Sequence, residues 1–344
     1  MNLEQFRPIE QLVHKKTYIE KPKFPVIDAH NHLAEPFGGG WDNKPIGELL
    51  DQLEQAGVTH MVDLDGGWGE DLLDKHLQTI KQKAPEKFTV FGGIQWSEWA
   101  VLGDRFPEWA ANRIRSQAAR GAGGLKVWKD LGLHVRDHHN ALVKVDDPRL
   151  QPIWDAMGEL GLPVMIHVAD PVAFFSPIDE HNERIEELGA HPEWSFPSPA
   201  FPTFDTILNG LETLIARHPA TTFVGAHVGC YAENLGRVGE MLDKYQNYHI
   251  DISARIGELG RQPYASRKFI IEHSDRILFG LDMGPKLDGY RLYYRFLETD
   301  DEYFNYSTHD IPTQGRWYVN GLYLPGEVLE KIYNKNARKL LKID

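Results

Sequence analysis

The sequence predicts an α/β protein built as a (β/α)8 TIM barrel. Eight short runs rich in β-branched residues alternate with eight amphipathic stretches along the 344 residues, which is the pattern of repeated strand–helix units. Several runs, such as FVGAHV, PVMIHV and RILFGL, are almost continuously apolar, as expected for parallel strands covered on both faces. An open doubly wound sheet is the alternative, but the sequence lacks the glycine-rich phosphate turn that such a sheet places after its first strand.

The predicted elements alternate from residue 26 to the end of the chain. The strands are expected at residues 26–30, 60–64, 89–95, 124–127, 163–167, 222–227, 248–253 and 276–282. The helices are expected at residues 46–56, 71–83, 107–120, 148–160, 204–217, 233–245, 264–273 and 325–342. Eight such units fit a closed barrel better than an open sheet.

Two long connections break this alternation, at residues 168–203 and 283–324. Both follow predicted strands and are rich in proline and aromatic residues. Long loops at the carboxyl ends of barrel strands are where barrel enzymes build their substrate pockets, so we expect the loop at 168–203 to control access to a site. The whole chain, 1–344, is expected to be one barrel domain preceded by an N-terminal extension at 1–24.

Composition excludes several classes of protein. A net charge of −13 lacks the cationic surface that nucleic-acid binding needs. The one cysteine, Cys230, leaves no internal disulfide and no cysteine-based metal site, and a small buried role is preferred over a catalytic thiol. No stretch approaches the ~18 apolar residues of a membrane span. The expected partners are a small-molecule substrate and, in a homodimer or larger homo-oligomer, further copies of the chain.

The cellular location is expected to be the cytoplasm. Residues 1–24 are polar and charged, which is unlike a signal peptide or a transit peptide. A leader peptide removed beforehand is left open.

Side chains that commonly ligate metals end four of the predicted strands. His30 and His32 end the first strand two residues apart, so the strand period of two puts both imidazoles on one face. His167 ends the fifth strand, His227 the sixth and Asp282 the eighth. Core packing does not account for all five together, and polar residues at these strand ends are typical of catalytic sites in barrels.

The chain resembles the amidohydrolase superfamily of metal-dependent barrels, most closely its amidohydrolase-2 branch. That branch includes aminocarboxymuconate-semialdehyde decarboxylase, related aromatic-acid decarboxylases and several lactone hydrolases. The matching segments occur in the order of the family and cover about residues 25–342. They are DAHNHL (28–33), GGLKVW (123–128), PVMIHV (163–168), FVGAHVG (223–229), HIDIS (249–253) and ILFGLD (277–282). The last segment departs from the family pattern, with Leu281 in place of the usual serine and Met283-Gly284-Pro285 in place of an aromatic residue and proline, which puts the substrate pocket in question more than the metal.

The resemblance implies that His30, His32, His167 and Asp282 bind one divalent metal ion, usually zinc. Three neutral imidazoles and a carboxylate suit Zn²⁺, with Mn²⁺ or Fe²⁺ as alternatives. Binuclear relatives carry a carboxylated lysine in the fourth strand, where Lys126 lies. One metal ion is preferred here, because the amidohydrolase-2 branch often has this lysine without the modification.

The resemblance also implies a catalytic role for His227, as the base or orienting group beside the metal-bound water. A cation lowers the pKa of its bound water toward ~7. Asp282 can both ligate the ion and accept a proton, while His227 can polarise the substrate or transfer the proton. For Asp28 two roles stay open: it orients a metal ligand, or it caps the loop.

Four residues are candidate substrate contacts. Arg255 lies two residues beyond the segment DIS, and its bidentate guanidinium suits a substrate carboxylate; an ion pair with Glu258 or another acidic residue is the equal alternative. Lys126 and Trp128 of the fourth strand and Phe174 of the long loop are predicted to line the pocket.

These observations favour hydrolysis of a lactone, ester or amide by metal-activated water. Decarboxylation of an aromatic or muconate-type acid on the same platform is the alternative. It requires a grip on the leaving carboxylate, and an acidic protein with few positioned cations offers little of it. A barrel without catalytic activity is disfavoured, because every expected ligand type is present.

Overall fold

Eight short parallel strands form the centre of the fold. The computed structural model describes residues 5, 9, 11–35, 37–307 and 309–343. The strands are β1 (Val26–Asn31), β2 (Val58–Asp63), β3 (Phe88–Val90), β4 (Leu125–Val127), β5 (Val164–Ile166), β6 (Phe223–Gly225), β7 (Tyr248–Asp251) and β8 (Ile277–Leu278). Each predicted strand is present. β3, β6 and β8 end earlier than predicted, at Val90, Gly225 and Leu278. After β6 the backbone turns left-handed at His227 (φ 58°) and leaves the sheet.

Hydrogen bonds link neighbouring strands around the whole ring. β1 to β3 form one parallel sheet in chain order, and β4 to β8 form another. Lys126 N donates to Gly92 O (2.8 Å) across the boundary between β3 and β4. Ala29 N donates to Phe279 O (2.9 Å) across the boundary between β8 and β1. The predicted TIM-barrel fold is therefore confirmed, and backbone hydrogen bonds connect the two sheets at both boundaries.

Helices connect the strands and bury one face each. Every predicted helical stretch contains an observed helix, and two of them, at 71–83 and 325–342, include a π-helical turn (Leu77–Lys81 and Lys331–Lys335). The α-helices with helical backbone angles are Ile46–Ala56, Glu70–His76, Trp99–Leu102, Phe106–Arg120, Gln151–Leu160, Ile185–Ala190, Phe204–Arg217, Leu235–Lys244, Ile256–Arg261, Pro263–Glu272, Leu287–Glu298, Gly326–Glu330 and Asn336–Leu341. Gly57 and Gly161 end two of them with φ 75° and 60°, a left-handed conformation that costs glycine nothing.

The apolar core is divided by strand alternation. Met165 of β5 belongs to a small cluster inside the ring, while its neighbours Val164 and Ile166 belong to the large cluster that includes the helices. The small cluster also contains side chains from other strands and from the C-terminal helix: Ile27, Ala29, Val62, Leu64, Phe91, Val224, Ala226, Leu278 and Ala337. Because this interior is apolar, the polar residues that follow the strands lie at its edge, where a site can form.

The long connections contain more regular structure than predicted. The segment at 283–324 was expected to be a loop, but it includes the 12-residue helix Leu287–Glu298. Its buried Tyr290, Tyr293, Tyr294 and Leu297 have helical spacing, a pattern that the loop interpretation overlooked. The loop at 168–203 contains only short helical turns, including Ile185–Ala190. None of the described helices is long and apolar enough to cross a membrane.

Candidate metal centre

Three imidazoles surround the carboxylate of Asp282. His30 lies on β1 and His32 directly follows it, and their Nε2 atoms lie 3.4 Å and 3.0 Å from Asp282 Oδ1. His227 follows β6, and its Nε2 lies 3.6 Å from Asp282 Oδ2. The barrel therefore brings together three of the four predicted metal ligands and the predicted catalytic histidine.

A buried carboxylate orients each histidine of β1. His30 Nδ1 is 2.8 Å from Asp251 Oδ2, and His32 Nδ1 is 2.6 Å from Asp65 Oδ1. A carboxylate at Nδ1 makes that nitrogen the donor, so Nε2 keeps its lone pair. Both lone pairs then point toward Asp282, as two metal ligands on one ion require.

The donor atoms fit a divalent cation. Nε2 of a neutral His32 and Oδ1 of Asp282 both carry lone pairs, which repel each other at a distance of 3.0 Å. A proton or a metal ion must therefore lie between these two atoms. Burial lowers the pKa of His32, but Asp282 and Asp65 outweigh it and raise that pKa to about 9. One donor atom each from His30, His32 and Asp282 lies within 4.8 Å of the others. Two nitrogens and a carboxylate oxygen at this spacing suit zinc or manganese.

His167 lies beside this group and not within it. Its ring centroid is 4.5 Å from that of His227, and its Nε2 lies 3.4 Å from Asp170 Oδ1. That distance is too long for a good hydrogen bond, and Nε2 is buried without a hydrogen-bond partner among the described residues. Burial lowers the pKa of His167 to about 4, so the imidazole is neutral with a free nitrogen. Its role as a metal ligand stays a prediction.

Asp251 connects two of the histidines. Besides accepting from His30, it accepts hydrogen bonds at Oδ1 from His227 N (3.1 Å) and from Ser253 Oγ (2.6 Å). Burial raises the pKa of Asp251, but His30 and the hydrogen bonds outweigh it and hold the pKa far below its usual range. Asp251 is therefore an anion that fixes the side chain of His30 and the backbone of His227 together.

The backbone is left-handed where the side chains predicted to be catalytic leave the barrel. His227, Val228, Gly229 and Cys230 have φ values of 58°, 59°, 64° and 63°, and Asp282 has φ 59°. This region is unfavourable for residues other than glycine, most of all for a β-branched residue such as Val228. The surrounding structure must hold these turns in place, as is common at functional sites.

Two buried cations lie at the same end of the barrel. Lys126 Nζ is 3.2 Å from His30 Nε2 and lies 4.6 Å from the ring centroid of Trp128. Burial lowers the pKa of Lys126 to about 8. Arg255 is 6% exposed and donates to the neighbouring Ala254 O (2.9 Å). Among the described residues, neither cation forms a salt bridge.

Stacked aromatic rings extend from the metal centre toward solvent. The ring of His32 stacks on Trp128 (5.3 Å between centroids), Trp128 on Trp68 (4.1 Å) and Trp68 on Phe37 (5.8 Å). Trp68 and Phe37 are about half exposed. Trp128 was predicted to line the pocket, whereas Trp68 and Phe37 were overlooked. Phe174, the other predicted contact, is buried and stacks on Trp194 of its own loop (6.3 Å), and its contact with substrate stays a prediction.

Asp28 holds strand ends together. It accepts hydrogen bonds from Tyr290 Oη (2.6 Å), Asn31 Nδ2 (2.6 Å) and the backbone N atoms of His30 and Leu281 (both 3.2 Å). These bonds connect β1, the segment after β8 and the helix Leu287–Glu298. Burial raises the pKa of Asp28 to about 7. Of its two predicted roles, this geometry favours orienting the β1 segment that carries the metal ligands.

Three buried aspartates and a buried histidine lie next to His32, on the side away from Asp282. His76 Nδ1 is 2.5 Å from Asp63 Oδ2, and His76 Nε2 is 3.5 Å from Asp42 Oδ2. Asp65, the partner of His32, donates its backbone N to Asp63 Oδ1 (3.2 Å). We call Asp42, Asp63, Asp65 and His76 the aspartate–histidine cluster. Asp65 and Asp251 were not among the predicted site residues, although both end strand segments (VDLD and HID) in the same way as the predicted ligands do.

Comparison with known proteins agrees with this geometry. The sequence profile described as amidohydrolase matches residues 27–343. The fold is similar to that of 2,6-dihydroxybenzoate decarboxylase from Rhizobium (16% identity, TM-score 0.59, covering 93% of this chain and 99% of that chain). It is also similar to a dihydroxybenzoic acid decarboxylase from Polaromonas sp. JS666 with bound manganese and 2-nitroresorcinol (15%, 0.58, 93% and 97%). A third similar structure is 5-carboxyvanillate decarboxylase from Sphingomonas paucimobilis (17%, 0.52, 88% and 84%). No curated protein matches the sequence significantly.

Proposed function

Because the chain belongs to the amidohydrolase family, in the amidohydrolase-2 branch that its motifs resemble, we propose that it is a metal-dependent decarboxylase of an aromatic carboxylic acid. The similar structures that carry a named activity act on dihydroxybenzoate or 5-carboxyvanillate. Their structural similarity establishes a shared fold, but their sequence identity is too low to carry over an activity. The proposal therefore depends on the residues of this chain.

One observation carries the proposal: Arg255 and Lys126 are buried cations without a carboxylate partner among the described residues. A buried, unpaired charge is costly unless a ligand compensates it. A substrate carboxylate supplies the missing anion, and the planar guanidinium of Arg255 binds it through two parallel hydrogen bonds.

This observation changes the preference drawn from the sequence. Hydrolysis was preferred because positioned cations were expected to be few. Two such cations lie at the carboxyl end of the barrel, one of them 3.2 Å from a predicted metal ligand. The leaving carboxylate therefore has a binding partner, and the decarboxylase alternative becomes the better account.

The metal centre suits substrates with oxygen substituents beside the carboxylate. His30, His32 and Asp282, with His167, would hold one divalent ion, manganese or zinc. When bound, that ion supplies positive charge that orients and polarises substrate oxygen atoms. The stacked rings of Trp128 and Trp68 offer an apolar face for an aromatic ring.

His227 and Asp282 would manage the proton. Loss of carbon dioxide leaves the electron pair of the broken carbon–carbon bond on the ring carbon, and a proton must replace the lost group there. Burial and the charge of Arg255 lower the pKa of His227 well below its usual value, so the free imidazole is neutral. Its Nε2 lies 3.6 Å from Asp282 Oδ2. His227 would take up a proton from solvent during the reaction, stabilised by the charge of Asp282, and deliver it to the ring carbon.

A substrate screen tests this proposal. Protein loaded with manganese or zinc is given 2,6-dihydroxybenzoate, 5-carboxyvanillate and other phenolic acids, alongside lactones, esters and amides. We expect carbon dioxide release from at least one acid, and slower release by Arg255→Met at substrate concentrations below the wild-type KM. Turnover of a lactone, ester or amide, without carbon dioxide release from any acid, would contradict the decarboxylase proposal and restore the hydrolase alternative.

A further inference from the structure

A cluster of two arginines and three glutamates, partly or fully buried, includes the predicted carboxylate-binding residue. Arg184 and Glu187 come from the loop after β5, Glu233 from the segment after β6, and Arg255 and Glu258 from the segment after β7. Arg184, Glu258 and Arg255 are 1%, 2% and 6% exposed. We call these five residues the arginine–glutamate cluster.

Arg184 engages two of the three carboxylates. Its Nη1 donates to Glu187 Oε2 (2.7 Å), and its Nη2 donates to Glu258 Oε1. The third carboxylate, Glu233, accepts from the backbone N of Val172 (2.9 Å). Arg255 is left with the carbonyl oxygen of its neighbour Ala254 as its partner among the described residues.

Arg255 nevertheless lies within electrostatic reach of these acids. Burial raises the pKa of Glu187 and of Glu233, and the charge of Arg255 lowers both. Arg255 directly precedes the helix Ile256–Arg261, and Glu258 lies in its first turn. Without Arg184, Glu258 and Glu187 would lose their cation. Arg261 also lies near Glu258 but already pairs with Glu183 (2.8 Å), so Arg255 is the nearby cation without a carboxylate partner among the described residues.

We propose that Arg184 is a positioning residue that keeps Arg255 available for the substrate carboxylate, by engaging Glu258 and Glu187 itself. This inference rests on the proposed function, in which Arg255 binds that carboxylate. A buried carboxylate without a cation is strongly unfavourable, so removal of Arg184 leaves these glutamates to pair with Arg255. The loop after β5 thus contributes to substrate binding through charge, without a direct contact with the substrate.

Two variants separate this role from a structural one. Arg184→Met leaves Glu258 and Glu187 without their cation, while Arg184→Met combined with Glu187→Gln and Glu258→Gln removes the competing anions as well. Binding of 2,6-dihydroxybenzoate and of resorcinol, which lacks the carboxylate, is measured by calorimetry on manganese-loaded protein. We expect Arg184→Met to raise the Kd of 2,6-dihydroxybenzoate by at least about tenfold and that of resorcinol by less than about twofold, since only the carboxylate depends on Arg255.

The triple variant decides the mechanism. Because glutamine cannot form an ion pair with Arg255, we expect its Kd for 2,6-dihydroxybenzoate to return to within about threefold of the wild type. A triple variant that binds as weakly as Arg184→Met overturns the inference. If Arg184→Met fails to fold, the triple variant still tests the inference, because it removes Arg184 together with the charges of Glu187 and Glu258. Wild-type affinity of the triple variant for 2,6-dihydroxybenzoate supports the inference. Weak binding of 2,6-dihydroxybenzoate with unchanged binding of resorcinol overturns it.

A crystal structure and one further variant distinguish this failure from failure of the proposed function. In the structure of Arg184→Met, we expect the Arg255 guanidinium to bind Glu258 or Glu187. Finding Arg255 unpaired there overturns the inference whatever the substrate is. Unchanged binding of 2,6-dihydroxybenzoate to Arg255→Met would instead reject the carboxylate grip of the proposed function, while the structure alone would still decide the role of Arg184.

Discussion

Two buried charged clusters flank the site and prepare it in opposite ways. Behind His32, the aspartate–histidine cluster places carboxylates against an imidazole, so that Nε2 presents a lone pair to a cation. Beside Arg255, the arginine–glutamate cluster engages the carboxylates with Arg184, so that a guanidinium is left for an anion. The difference shows that what a site binds is decided by the groups behind the contacting residues as much as by those residues.

The largest expected effects are those of His30→Ala and His227→Asn, and comparing the two variants separates metal binding from proton transfer at the candidate metal centre. His30→Ala removes a nitrogen next to Asp282, so we expect loss of the metal ion and an activity loss of about a thousandfold or more. His227→Asn should keep most of the metal and lower kcat by roughly 100- to 10,000-fold. Elemental analysis of both variants, beside their kcat, checks this. Equal metal loss in the two would show that His227 is a ligand.

The next prediction tests whether Asp65, the carboxylate that contacts His32, affects metal binding without affecting substrate binding. Asp65→Asn keeps the size of the side chain but removes its charge, so we expect metal affinity to fall by about 10- to 100-fold. The KM at saturating metal should change little. Glu258→Gln, from the other cluster, is the matched control and should leave metal affinity unchanged. Titration of metal-free protein with manganese measures both.

An effect of similar size, on substrate binding instead of metal binding, is expected from Arg255→Met. Loss of a charge-assisted bidentate contact should raise KM for an aromatic acid by roughly 10- to 100-fold. Metal content should stay at that of the wild type, because no metal ligand is touched. Steady-state kinetics with parallel metal analysis checks both statements. Metal loss in Arg255→Met would mean that the carboxylate-binding part of the site and the metal centre do not act independently.

The smallest effect is a pH dependence of stability. Burial lowers the pKa of His76, but Asp63, Asp65 and Asp42 outweigh it and raise that pKa above its usual value of 6.5. Protonated His76 therefore stabilises the folded state. This contribution is fully present below pH 6.5 and is lost as the pH rises through the higher pKa that His76 has in the folded state.

The difference in unfolding free energy between wild type and His76→Gln should accordingly shrink as the pH rises from 6 toward 9, by at most about 1.4 kcal/mol per pH unit. Urea denaturation of metal-free protein at several pH values measures it. A difference that is constant or grows with pH would mean that His76 is neutral in the fold.

Sequence patterns predicted the fold and the residues that end the strands. The strand–helix alternation is local, so the period of the apolar residues was enough to place all eight units. The helix Leu287–Glu298 was overlooked because it lies in a segment that was interpreted as a loop, although its tyrosines have helical spacing.

The partners of those residues could not be predicted in the same way. Asp65 lies 33 residues from His32, and Asp251 lies 221 residues from His30. Hydrogen bonds over such separations depend on how the barrel closes, which one sequence does not display. The same holds for Arg255: the sequence allowed Glu258 as its partner, and only the loop after β5 decides that Arg184 takes that carboxylate.

The left-handed turn after β6 also limits how the protein can change. Val228 needs a backbone conformation that glycine and asparagine tolerate best, yet its side chain is completely buried among apolar neighbours. Glycine would leave a cavity, asparagine would bury an amide without a partner, and other apolar residues would keep the unfavourable backbone. No single replacement meets both demands, so a library of random variants should accept few residues at position 228. Stabilising this protein by consensus-style substitutions would therefore have to begin far from the turn that carries His227, the predicted catalytic histidine.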